Sequence, residues 1–163
     1  MKTLRSYLAI IVATALLAAC DRNVFYSEYA PIDEQGWLPT DSARFEVQVD
    51  DTVTAYNFLF EVRNSITYPY SNTFLFVGTT FPDGSVARDT VEFPLAAPSG
   101  EWYGKCTGRY VDTRCYFRRN ARFPMPGTYR FSVANGMRDS AIAGIHDVGL
   151  RIEYSKMNPH GQE

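Results

Sequence analysis

Cys20 is the residue of this chain whose surroundings specify a reaction. It closes Leu17-Ala18-Ala19-Cys20, behind Lys2, Arg5 and an apolar run from Leu8 to Leu17. Those are the charged and hydrophobic regions of a secretory signal, and small residues ending on cysteine form a bacterial lipobox. A signal peptidase II cut before Cys20 leaves an N-terminal cysteine whose thiol takes a diacylglycerol. The apolar run falls short of the roughly 20 residues that span a bilayer. Each buried acyl methylene contributes about 0.8 kcal/mol, so two or three chains anchor firmly. The competing reading, in which Cys20 merely ends a short anchor, makes less use of Ala18 and Ala19.

With Cys20 assigned to lipid, Cys106 and Cys115 remain as an even pair in an oxidising compartment. That context favours a disulfide between them over two free thiols, and closing so short a loop contributes about 2–3 kcal/mol. A zinc site would need further Cys or His nearby, and none stands there.

Catalytic sets are weak. His146 precedes Asp147 at the start of an expected strand, where packing is the simpler role, and His160 lies in the tail. No Gly-x-Ser-x-Gly elbow, phosphate loop or dinucleotide fingerprint, or Asp-x-Asp-x-Asp-Gly calcium loop occurs in the sequence. The expectation is a protein that is not an enzyme, with no cofactor and no metal.

Binding residues are better represented. Tyr68 and Tyr70 flank Pro69, and Trp102 and Tyr103 sit in Gly100-Glu101-Trp102-Tyr103-Gly104. Loop aromatics stack on sugars or anchor a protein partner; alternatively Trp102 plugs the end of the domain. Between residues 105 and 122, Lys105, Arg109, Arg114, Arg118, Arg119 and Arg122 face only Asp112. Arg114, Arg118 and Arg119 could meet lipid phosphates or an acidic partner, or line a solvated strand face with acidic partners elsewhere in the chain. The chain has 16 basic and 18 acidic residues, and nothing in that balance suggests nucleic acid.

The elements that position these residues are strands. Phe45, Val47 and Val49 alternate with Arg44, Glu46 and Gln48, and the same period of two recurs around Tyr56–Val62, Tyr129–Val133 and Val148–Tyr154. Phe74-Leu75-Phe76-Val77 is apolar on both faces, as in a central strand. Pro82-Asp83-Gly84-Ser85 turns one hairpin and Pro124-Met125-Pro126-Gly127 another. Gly149 lets another chain segment approach its strand closely. Only 136–143 has room for a turn of helix. The prediction is an all-β single domain, an antiparallel, jelly-roll-like β-sandwich of about 8 strands. Its boundaries read as signal peptide 1–19, lipidated tether and lead-in 20–41, sandwich 42–155 and flexible tail 156–163.

Several segments together resemble one family. They are the lipobox, Phe-Leu-Phe-Glu-Val-Arg-Asn (58–64), Asp-Thr-Val-Glu-Phe-Pro-Leu (89–95), Ser-Gly-Glu-Trp-Tyr-Gly (99–104), Phe-Pro-Met-Pro-Gly-Thr-Tyr (123–129) and Gly-Ile-His-Asp-Val-Gly-Leu-Arg-Ile-Glu (144–153). These resemble the GldH family of gliding-motility lipoproteins from Bacteroidetes, over roughly residues 20–155. The resemblance implies a non-catalytic lipoprotein on the periplasmic face of the inner or outer membrane. It implies partners in the gliding apparatus, whose components overlap the type IX secretion system. It supplies no catalytic residues. A carbohydrate-binding module using the loop aromatics is the alternative function.

Overall fold

The computed structural model describes residues 23–139 and 141–155; Cys20 and His160 lie outside them. Nine strands follow in order: β1 (Val24–Pro31), β2 (Ser42–Val49), β3 (Tyr56–Ser65), β4 (Asn72–Thr80), β5 (Val86–Pro94), β6 (Lys105–Thr107), β7 (Tyr110–Ala121), β8 (Gly127–Asn135) and β9 (Ile145–Tyr154). They form an antiparallel sheet ordered β1-β9-β3-β7-β6 facing another ordered β2-β8-β4-β5. Without the three-residue β6, each sheet has four strands and the chain crosses between sheets in jelly-roll order. The expected all-β sandwich is the observed fold.

The core follows from the period of two. Phe45, Val47 and Val49 from β2, Tyr129, Phe131 and Val133 from β8, and Val148, Leu150 and Ile152 from β9 all point inward and are buried. They interdigitate with Tyr56, Phe58, Phe60 and Val62 of β3, as two inner faces of a sandwich must. Gly84 and Gly127 take positive φ, 85° and 128°, in the two turns where the sequence calls for them. Leu75 and Val77 are buried as a central strand requires, while Phe76 points outward and is half exposed.

Residue 23 and the connections 50–55, 81–85 and 122–126 gather at one end of the sandwich, hereafter the base. Connections 32–41, 66–71, 95–104 and 136–144 gather at the opposite end. Trp37 closes that far end: it is 1% exposed, and its indole N–H donates to the Asp41 carbonyl at 2.9 Å.

Three expectations need correction. The segment 20–41, read as tether and lead-in, contains a complete strand: β1 pairs along β9 from Val24↔Glu153 to Pro31↔Asp147. As an edge strand with an outer face half wet, it lacks the alternation that marks β2. Residues 136–139 and 141–143 form bends and a bridge rather than a helical turn. Cys106 and Cys115 are free thiols. Cys106 stands opposite Val111 in the β6–β7 hairpin, four residues before Cys115. Four residues of strand extend about 13 Å, while bridged cysteines hold their Cα atoms within about 7 Å.

Candidate functional site: a charged cleft on the outer face of the five-stranded sheet

Register carries the outer-face residues of five strands into two rows. One row runs Tyr29 (β1), Gly149 (β9), Glu61 (β3), Arg114 (β7). The next runs Pro31, Asp147, Arg63, Asp112, Lys105. Opposite residues in an antiparallel pair share a face, so each row crosses the outer face of the sheet. Tyr29, Glu61 and Arg114 of the first row and Arg63, Asp112 and Lys105 of the second line a cleft of about 560 Å³ whose walls include Tyr103 and Thr113.

Glu61 is the unusual member, a carboxylate only 2% exposed. A charge taken out of water must be paired, and Arg114 forms an ion pair with it. The Tyr29 ring covers it from β1. Burial, then the neighbouring Glu61 carboxylate with its negative charge, push the Tyr29 phenol up to about 12. Gly149 makes this cover possible, since a Cβ there would lie 2.9 Å from two ring carbons of Tyr29.

In the second row the Arg63 Nε–H donates to Asp112 Oδ1 at 2.7 Å, and its Nη1 reaches Asp147 Oδ2 at 3.4 Å. The Asp112 bond holds the guanidinium above its ordinary range. Arg151 and Glu153 pair at 2.6 Å farther along β9. Gly104 sets the rim: a Cβ would stand 2.5 Å from the Asp112 carbonyl oxygen and 2.3 Å from the Thr113 hydroxyl. Only glycine lets the chain pass that close, which brings Tyr103 and Lys105 to the cleft.

The result is a rigid field of fixed donors and acceptors between two tyrosines, suited to recognising a polar partner. His146 stacks edge-on against Tyr110, with centroids 4.9 Å apart, the packing role expected of it. Among the described residues, no group of three or more His, Cys, Asp and Glu is placed to hold a metal ion.

The binding residues proposed from sequence separate. Tyr68 is 5% exposed and part of the core, its phenol pushed up by burial. Tyr70 meets it edge-on and donates to Asp139 Oδ2 at 2.7 Å. Trp102 is half-buried against the core. Arg118 pairs with Asp89 at 3.1 Å, and the Arg119 guanidinium lies 3.9 Å from the Tyr116 ring centroid. Arg114, Arg118 and Arg119 thus each have a partner within the chain. Of the seven, Tyr103 and Arg114 reach the cleft. Tyr29, Glu61, Arg63 and Asp112 were missed; the signal available was Glu61 interrupting the apolar run Phe58–Val62 and Arg63 ending it.

Residues 24–152 match the GldH lipoprotein family. The chain belongs to that family. It is 33% identical over 162 residues to a gliding motility lipoprotein GldH homolog from Christiangramia forsetii, covering 95% of this chain and 99% of that protein. Against gliding motility lipoprotein GldH of Flavobacterium johnsoniae the identity is 29% over 151 residues, covering 88% and 93%. Among solved structures, TmCBM61 in complex with beta-1,4-galactotriose is similar at 10% identity and TM-score 0.35, covering 82% of this chain and 91% of that one; a likeness so slight carries nothing further. Two of the segments that carry the GldH resemblance meet at the cleft: 58–64 supplies Glu61 and Arg63, and 99–104 supplies Tyr103 and Gly104; 144–153 runs alongside as β9, with Gly149 under the Tyr29 ring and Asp147 accepting from Arg63.

Proposed function

We propose that this GldH-family chain is a non-catalytic envelope lipoprotein of the gliding-motility machinery, linked to type IX secretion. Cys20 carries its lipid anchor, and the cleft on its outer sheet docks another envelope protein. The meeting of two family-bearing segments, 58–64 and 99–104, in that one cleft is the observation that supports this reading most. A fold alone needs no ion-paired carboxylate buried on its outer face, because a buried salt bridge is a poor source of stability. Interfaces do use fixed charges of this kind for partner choice.

The test compares Tyr103→Ala and Lys105→Glu, at the cleft rim, with Arg44→Glu, exposed on the other sheet. Cleft variants of normal abundance should lose cell movement over a surface and Arg44→Glu should keep it. Movement retained in both cleft variants would count against the cleft. A glycan ligand is the second reading, favoured by Tyr103, which is 60% exposed beside a polar floor. Binding of an envelope polysaccharide by the purified domain, abolished by Tyr103→Ala, would select it.

A further inference from the structure

Cys20 stands three residues before Asn23 in the sequence, a reach of about 10 Å at most. Asn23 is fixed to the base, its carbonyl accepting the Tyr154 N–H at 2.9 Å. A chain anchored at Cys20 therefore holds the base within headgroup distance of the membrane.

The surface presented there fits that neighbour. Val53, at the tip of the 50–55 loop, is 78% exposed and Val86 is 57% exposed. The Asp51 carboxylate accepts the N–H groups of Val53 and Thr54 at 2.7 and 3.1 Å, which fixes the tip with Val53 projecting. Behind it stands an aromatic group, Phe25, Tyr56 and Tyr154, with centroids 4.9 and 5.5 Å from Tyr56; Tyr154 is 39% exposed. Aromatic rings concentrate at the bilayer interface. The turns are braced against each other, for Pro82 fills the space where a Cβ on Gly127 would stand. Asp50, Asp51 and Asp83 are exposed at this end with Arg122. That charge disfavours a strongly anionic surface and suits one rich in phosphatidylethanolamine, whose ammonium groups face the carboxylates.

We infer that the base of the domain rests on the headgroup layer of a phosphatidylethanolamine-rich bilayer, with Val53 inserted. This rests on the anchoring of Cys20. It stands the cleft away from the membrane: Arg63 is seven residues up β3 from Tyr56, about 23 Å along the strand.

The lipidated full chain in phosphatidylethanolamine vesicles containing bromine-labelled phosphatidylcholine tests it. Wild type carries its tryptophans, Trp37 and Trp102, at the far end. Bromine should leave wild-type emission unchanged and remove most of the emission added by Val53→Trp. Flotation with the vesicles reports the anchor separately. Floating protein whose added tryptophan is no more quenched than wild type overturns the seat and leaves the anchor. Quenched wild type overturns the upright orientation. Protein that does not float overturns both anchor and seat.

Discussion

Tyr29 lies on Gly149, two of its ring carbons 2.9 Å from where a Cβ would be, and the glycine is thereby what allows β1 to reach across β9 and roof the buried carboxylate of β3. Gly149→Ala should drive the ring outward or bend β1, since the Glu28 carbonyl is also only 3.2 Å away. Overpacking of this kind costs about 1–3 kcal/mol, to be read as a lower urea midpoint at unchanged slope. Tyr29→Ala in the same chain should cancel much of that loss. Strict additivity of the two changes would show that they do not touch.

Alkali should find the same contact. Folding favours the protonated Tyr29 phenol, whose pKa rises from 10 to about 12. Its contribution is complete below pH 10 and is lost as pH climbs toward 12. Tyr29→Phe keeps the ring and removes the titration, so its urea midpoint should fall less than that of wild type over this interval. Equal slopes would contradict the assignment.

Arg114→Gln should strand the Glu61 charge. Breaking a fully buried pair costs about 3–5 kcal/mol, but the Arg114 side chain is 57% exposed, so the expected loss is about 1–3 kcal/mol. Adding Glu61→Gln should recover part of it in the same denaturation experiment. A double variant less stable than Arg114→Gln would contradict the stranding of that charge.

Thiol titration separates the two cysteines. Cys106 is exposed, whereas burial pushes the Cys115 thiol up. The folded domain should show one rapidly reacting thiol and one slow one, and the unfolded domain two. Absence of reactive thiols after unfolding would restore the disulfide.

What could be read from sequence divides along local and distant contacts. The alternation of Phe45, Val47 and Val49 is a local fact, and so is the turn at Pro82-Asp83-Gly84, which is why the sandwich and its long hairpins were legible. Gly149 could be marked as a place of close approach, but not that Tyr29 would fill it. Glu61 reads as a wet residue between Phe60 and Val62, because only the register of β7 and β9 beside β3, with Tyr29 reaching over from β1, buries it. The cysteine spacing likewise says nothing of register, and register holds the two apart. The edge strand β1 went unseen because its outward residues are half wet.

Cross-linking in living cells bears most directly on the central claim, that the cleft is where this lipoprotein meets its envelope partner. A photoreactive amino acid would be placed in turn at positions 103 and 105 and, on the other sheet, at 44. Positions 103 and 105 should give one discrete adduct with an envelope protein, absent from position 44 and lost when Cys20→Ser removes the anchor. The same adducts from all three positions, or none from the cleft, would contradict the account.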